Sequence, residues 1–181
     1  DKALFFNALQ NALKRAQAAS NTVIENVVVN VPNGNSRFTI QTGITQNHSD
    51  KYASTKDKEV AMKKAVHCIN KKDQSVLHLL PLDVRLDGQS TKQIQNAKCS
   101  NIEIDTAIIL SDTGNLKMII TSLKDLELKV KGIISDYLAL GAVLLPSKTS
   151  DSHLIIDIGA QLTSISIYKS EKLLFAHSIQ I

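Results

Sequence analysis

The sequence predicts an α/β fold with a partly parallel sheet and an α+β insertion. Three observations carry this. Helix-period and strand-period segments alternate over most of the 181 residues. A strand-helix-strand-strand block, residues 33–111, interrupts the alternation. Three consecutive strands then close the sequence, and the first two, LIIDIGAQLTSISIY (Leu154 to Tyr168), read as strand, tight turn, strand.

Residues 3–19 place Phe5, Leu9, Ala12, Leu13 and Ala16 on one stripe, which predicts an amphipathic helix burying that face. The β-branched run Ile24 to Val31 predicts a mostly buried strand. Pro32-Asn33-Gly34-Asn35 is a turn, and Arg37 to Ile44 is a second strand. Residues 45–53 are polar and predict a loop. Ser54 and Asp57 have capping-box spacing and open a helix reaching about Lys71, with Met62, Ala65, Val66 and Ile69 as its apolar stripe. Val76 to Asp87 alternates loosely around Pro81, which points to an edge or a bulge. Residues 88–100 predict a loop, and Ile102 to Leu110 a strand.

Leu116, Ile119, Ile120, Leu123 and Leu126 hold helical spacing over three turns, with Asp112 or Thr113 able to cap them. A strand from Leu128 to Ile134 follows, then a helix from Asp136 to Leu145 that Ser135 can cap and Pro146 closes. The last strands are His153 to Ile158, Thr163 to Lys169 and Lys172 to Ile181, the last two joined by a turn near Ser170 and Glu171.

A hydrophobic share of 43% supplies a real core, and no run reaches the length of a membrane span. The amphipathic N-terminus does not read as a signal peptide. The helical pattern is already running at Asp1 and Ile181 falls inside a strand, so the chain reads as a piece of a larger protein. The net charge of +4 is scattered, and its densest cluster, Lys56 to Lys72, is interleaved with Asp57 and Glu59 as on a solvated helix face. Aromatics at 4% without tryptophan argue against a nucleic-acid surface. Cys68 and Cys99 lack CxxC spacing and read as reduced thiols. The histidines His48, His67, His78, His153 and His177 show no H-x-x-x-H pair and predict no metal site.

The Leu154 to Tyr168 segment is where chemistry is expected. Asp157 ends an apolar run and Gly159 follows. A glycine lets the backbone approach an anion, and consecutive turn N–H groups point at it. A carboxylate at a strand end holds Mg²⁺ through water. An ordinary hairpin with an aspartate at its corner has the same pattern and no ligand.

Three segments resemble the FtsA family of cell-division proteins, members of the actin and Hsp70 ATPase superfamily. VLHLLPLDVRLDGQ (Val76 to Gln89) is similar to VLH-x-x-P-x-x-x-x-LDGQ. VKGIISDYLALGAVLL (Val130 to Leu145) is similar to V-x-G-I-V-x-x-P-x-A-S-G-x-A-V-L. LIIDIGAQLTSISIY with KLLFAHSIQI resembles the second phosphate loop and the strand after it, in the cadence of alphaproteobacterial members. In that loop, usually D-x-G-G-G-T-T, Asp157 and Gly159 are retained and Thr163 matches the second threonine. Ala160 and Gln161 stand for the next glycines and Leu162 for the first threonine.

The resemblance implies an actin-like, ribonuclease-H-type subdomain 1A in residues 1–32 and 112–150, without its first three strands. It implies an inserted subdomain 1C in residues 33–111 and the opening strands of subdomain 2A in residues 151–181. The terminal strands are expected to fill the vacancy beside Val27 to Val31, within the chain or by exchange between two chains. The first phosphate loop, the adenosine motif, the FtsZ-binding subdomain 2B and the C-terminal amphipathic membrane helix have no counterpart in these residues.

The implied function is that of an adaptor linking FtsZ filaments to the membrane, recruiting late division proteins and self-associating through 1C. It would lie in the cytoplasm, peripheral on the inner face of the plasma membrane at the division site. ATP and Mg²⁺ are implied for the full-length protein, with at most weak ATPase activity, and none for this segment. The resemblance gives Asp157 the role of orienting Mg²⁺ and its water, and the N–H groups of Gly159, Ala160 and Gln161, beside Thr163, the role of meeting phosphate oxygens. A PilM-like or EutJ-like actin-fold scaffold, or an actin-like ATPase or sugar-kinase relative, is the alternative. No residue here supplies a kinase base.

Overall fold

The computed structural model describes residues 2–47, 52–148 and 150–180. Asp1, His48 and Ile181 lie outside them, as do residues 48–51 of the loop predicted between residues 45 and 53. The elements are α1 (Lys2–Ser20), β1 (Asn26–Val31), β2 (Ser36–Gln46), α2 (Thr55–His67), β3 (Gln74–Leu86), β4 (Gln89–Ser90), β5 (Asn101–Asp112), α3 (Thr113–Asp125), β6 (Lys129–Ser135), α4 (Asp136–Leu144), β7 (Ser152–Ile158), β8 (Leu162–Lys169) and β9 (Lys172–Gln180). They build three sheets: a parallel pair β1-β6, an antiparallel sheet β2-β5-β3-β4, and an antiparallel sheet β7-β8-β9.

The four-stranded sheet holds most of the core. β5 is an inner strand, paired over eleven residues with β2 and on its other side with β3. Its alternate residues Ile102, Ile104, Ile108 and Leu110 are fully buried and pack under α2 against Ala61, Ala65 and Val66. Each such aliphatic side chain contributes about 2 kcal/mol by leaving water. The helix starts where the capping box forecast: Ser54 and Asp57 bond reciprocally. α2 ends at His67, a turn short of the expected Lys71. On the far side, β3 carries register shifts at Val76/His78 and Pro81/Asp83, so the proline sits at a bulge, and β4 covers only Arg85 and Leu86. Arg85 bridges Asp83, Glu103 and Asp105 on the face away from α2, and Asp105 also accepts from Thr42 at 2.6 Å.

The terminal strands depart from expectation. They do not complete the sheet of β1: Ile155 and Val29 lie in separate sheets with no pairing between them. The inner face of β7-β8-β9 has a better partner. Ile155, Tyr168, Leu173 and Ala176 bury against Tyr137 of α4 and Ile109 of β5, with Phe38, Leu77 and Leu80 around them. Ser170 and Glu171 both take positive φ, the type I′ geometry that a two-residue hairpin needs. The outer face leaves Leu154, Ile156, Ile158, Ile167, Phe175 and Ile179 exposed.

Two further expectations are corrected. α1 forms, but none of its residues is buried; its stripe is only half-covered. β1 alternates between exposed and half-buried as far as Asn30, only Val31 being buried, and Val28 is 69% exposed, because β6 is its one sheet neighbour among the described residues. No helix among the described residues is long and apolar enough to cross a membrane.

Candidate functional site

The hairpin joining β7 to β8 gathers the residues expected to carry chemistry. The ladder runs to Ile158 opposite Thr163, and the Gly159 N–H donates to the Leu162 carbonyl at 2.9 Å. Ala160 and Gln161 form the two-residue tip beyond that closure, both exposed. A Cβ on Gly159 would stand 3.1 Å from the Leu162 carbonyl oxygen, so glycine permits the tight closure. Asp157 is exposed and sits opposite Ser164, which puts both on the face turned toward the rest of the molecule. Asp157, Gly159, Ala160, Gln161 and Thr163 are therefore brought to one end of one hairpin. The Gly159 amide is engaged inside the turn, while the Ala160 and Gln161 amides lie outside the ladder.

Facing this end is a polar junction that sequence reasoning missed. β1 and β6 are parallel, so their carboxyl ends, Val31 and Ser135, lie side by side. Carboxyl ends of parallel strands are where α/β folds place their ligand clefts. Asn33, 1% exposed, donates from Nδ2 to Ser164 Oγ at 3.5 Å and accepts from Ser135 Oγ at 3.4 Å. The Ser135 N–H donates to His78 Nε2 at 3.1 Å. Asn30 donates to the carboxylate of Asp136, the first residue of α4. The sequence places Ser135 at the cap of α4. It occupies that position without a side-chain cap bond, because its hydroxyl is committed to Asn33.

Burial lowers the His78 pKa, which keeps the ring neutral and its Nε2 an acceptor. Burial also pushes Tyr168 up to about 12 and raises Tyr137. Both phenols stay protonated and act as clamps. Tyr168 Oη donates to the Tyr137 carbonyl at 2.7 Å, and Tyr137 Oη lies 2.6 Å from Ser178 Oγ. These bonds fix α4, and with it Asp136, to the β7-β8-β9 sheet.

Chemically, the hairpin offers the amides of Ala160 and Gln161, outside its ladder, and an exposed carboxylate. That donor set fits one edge of a phosphate and a water-held Mg²⁺. It is too small to enclose a nucleotide. Sequence reasoning found this half because it is contiguous. Asn33, Ser135 and His78 gave no signal beyond a turn, a cap and an alternating strand.

No protein-family model and no curated protein matches the sequence. Among solved structures, the chain is similar to a chain of the PilM-PilN type IV pilus biogenesis complex, with a TM-score of 0.64 and 16% identity over 95% of this chain and 47% of that one. It also aligns with a Bacteroides thetaiotaomicron protein described as having an actin-like ATPase fold, at a TM-score of 0.38 and 12% identity over 97% of this chain and 55% of that one. The chain spans about half the length of these two structures. The architecture is the mixed α/β fold shared with that chain of the PilM-PilN complex, with the β2-β5-β3-β4 sheet and α2 lying between β1 and α3 in sequence.

Proposed function

We propose that this chain is part of an actin-fold scaffold that works by holding protein partners. The observation that carries the reading is the match over 95% of the chain to a protein solved in a two-protein complex. In its specific form the proposal is an FtsA-type adaptor. Val76 to Gln89 and Val130 to Leu145 support that form by their resemblance to the family's segments. Such a protein would bind FtsZ and late division proteins, self-associate through residues 33–111 as subdomain 1C, and sit at the membrane of the division site through a helix outside this sequence. Residues 1–32 with 112–150 would be subdomain 1A, and residues 151–181 the start of 2A. The structural match favours a PilM-type scaffold equally.

Nucleotide, where bound, would meet the hairpin tip. Asp157 would hold Mg²⁺ through water, and the amides of Ala160 and Gln161 would meet a phosphate edge beside Thr163, with Gly159 shaping the turn.

The test is binding of this chain, and of the full-length protein the resemblance implies, to purified FtsZ and to PilN, with Mg-ATP titrated by calorimetry. Binding to FtsZ supports the division adaptor and binding to PilN the pilus scaffold. ATP binding to the longer form alone supports a nucleotide site completed by other residues. Turnover of a small phosphate acceptor with no protein binding refutes the scaffold reading.

A further inference from the structure

The two edges of the four-stranded sheet are treated differently. Beyond β3, the edge is blunted by Pro81, two bulges and the short β4. These are the devices by which sheets avoid accidental pairing. The β2 edge has none of them. It pairs with β5 over eleven residues without a register shift, contains no proline and carries one charge, Arg37. Every second residue of β2 turns its N–H and C=O away from β5, so the edge presents a regular row of donors and acceptors.

A helix stands over this edge. α2 packs on β2 at Gly43, where a Cβ would lie 2.8 Å from the Ala61 carbonyl carbon and the Ala65 nitrogen. Glycine lets the helix backbone settle directly on the edge strand. Beside that contact, Lys64 Nζ lies 3.4 Å from Thr45 Oγ1. Lys64, Ile44, Thr45, Gln46 and Asn101 line a hollow of about 740 Å³ along the end of β2. A strand edge beside a helix is the arrangement that accepts an added peptide strand.

Charge selects the occupant. β2 has no carboxylate, Arg37 belongs to it and exposed Lys64 lies against Thr45, while at its far end, by Ser36, Lys72 is matched by Asp73 and Asp112. Of the α2 carboxylates, Asp57 is bonded to Ser54 at the cap, leaving Glu59. Asp105, beneath Thr42, is held by Arg85. We propose that the open edge of β2, beside α2, takes an extended acidic segment of a protein partner as a fifth, antiparallel strand. The inference rests on the partner-binding reading and names its surface.

The experiment uses two fluorescent peptides, one alternating valine with glutamate and one alternating valine with lysine, titrated against this chain by anisotropy. A glutamate peptide N-methylated at every residue has no N–H on either edge and cannot complete a ladder. The expected result is binding of the glutamate peptide alone, with amide exchange slowed at Ile40 to Gln46. N-methylation abolishes binding, and Lys64→Glu, an exposed helix substitution, weakens it about tenfold. Failure of the glutamate peptide to bind, equal binding of the N-methylated form, or protection elsewhere overturns the inference. If FtsZ or PilN binds with β2 exchange unchanged, this inference fails and the scaffold reading stands. Peptide binding with neither partner bound has the opposite meaning.

Discussion

A side chain on Gly43 would meet the α2 backbone at Ala61 and Ala65, and a helix packed on the sheet cannot yield there. Gly43→Ala is expected to cost about 3 kcal/mol in urea unfolding. Gly141 faces a ring instead: a Cβ there would lie 2.6 Å from Tyr168 Cζ, so Gly141→Ala displaces the Tyr168 clamp and costs about 2 kcal/mol by the same measurement. His78 predicts a pH dependence. Its folded pKa lies below the unfolded value of 6.5, so the unfolded chain binds the proton first. The stability this supplies is present above 6.5 and is lost as pH falls through the lower folded value. His78→Gln, which keeps an acceptor for the Ser135 N–H, should flatten that part of the stability profile, read by urea melts from pH 7.5 downward. At this scale the sequence was readable where neighbours in the chain decide the outcome, as for Asp112, which caps α3 by accepting from the Asn115 N–H at 2.7 Å. It was not readable where pattern and burial part company. In β8 the serines Ser164 and Ser166 are buried alongside Tyr168, while Ile167 faces outward, and Ser164 sits beneath the junction with Asn33.

Among the elements, α2 was the most legible, since its cap, stripe and start are local signals. Ser54→Ala removes the hydroxyl that accepts from the Asp57 N–H, keeps the Ser54 N–H bond to the Asp57 carboxylate, and is expected to cost about 1 kcal/mol in thermal or urea unfolding. The charged rows of β3 and β5 form a second local unit. Arg85 compensates three carboxylates, and its hydrogen bond to Asp105 is the main cause holding that acid below its usual range. Arg85→Met leaves Asp83, Glu103 and Asp105 facing one another and should cost about 1 kcal/mol at neutral pH, the group being partly exposed. Because the folded pKa of Asp105 is depressed, the stability it supplies is present above about 3.8 and lost as pH falls further, so mutant and wild-type unfolding curves should converge in acid. The bulge at Pro81 was visible in advance because proline cannot donate to a ladder. The sparse burial of α1 and β1 was not, because periodicity reports which face is apolar and says nothing of what covers it.

Across the molecule, protection should follow the core. Amide exchange is expected to be slowest in β5, whose residues Ile104 and Ala107 to Leu110 are fully buried, and fastest in α1, which buries none. Mass-spectrometric exchange checks this in one experiment, and slow exchange throughout α1 would contradict it. The identity of the strands and helices was almost fully present in the sequence, as was the hairpin carrying Asp157 and Gly159. Which sheet the last three strands join was not. The more apolar face of β7-β8-β9, with Leu154, Ile156 and Ile167, is the exposed one, so alternation pointed away from the face that packs on Tyr137. The polar junction escaped for a related reason. His78, Asn33, Ser135 and Ser164 come from four separated segments, and distance along the chain erases the pattern.

The pairing of Ser36 with Ser111 has a kinetic consequence. β1 and β6 must find each other across about a hundred residues, a slow search for an unfolded chain. Once β2, α2, β3 and β5 have assembled, the entrance and exit of that long segment are already neighbours. The remaining loop behaves as one of about thirty residues, which lowers the closure cost by about 1 kcal/mol. Refolding is thus expected to proceed outward from the middle of the sequence, with the parallel pair forming last and β5 giving the highest φ-values.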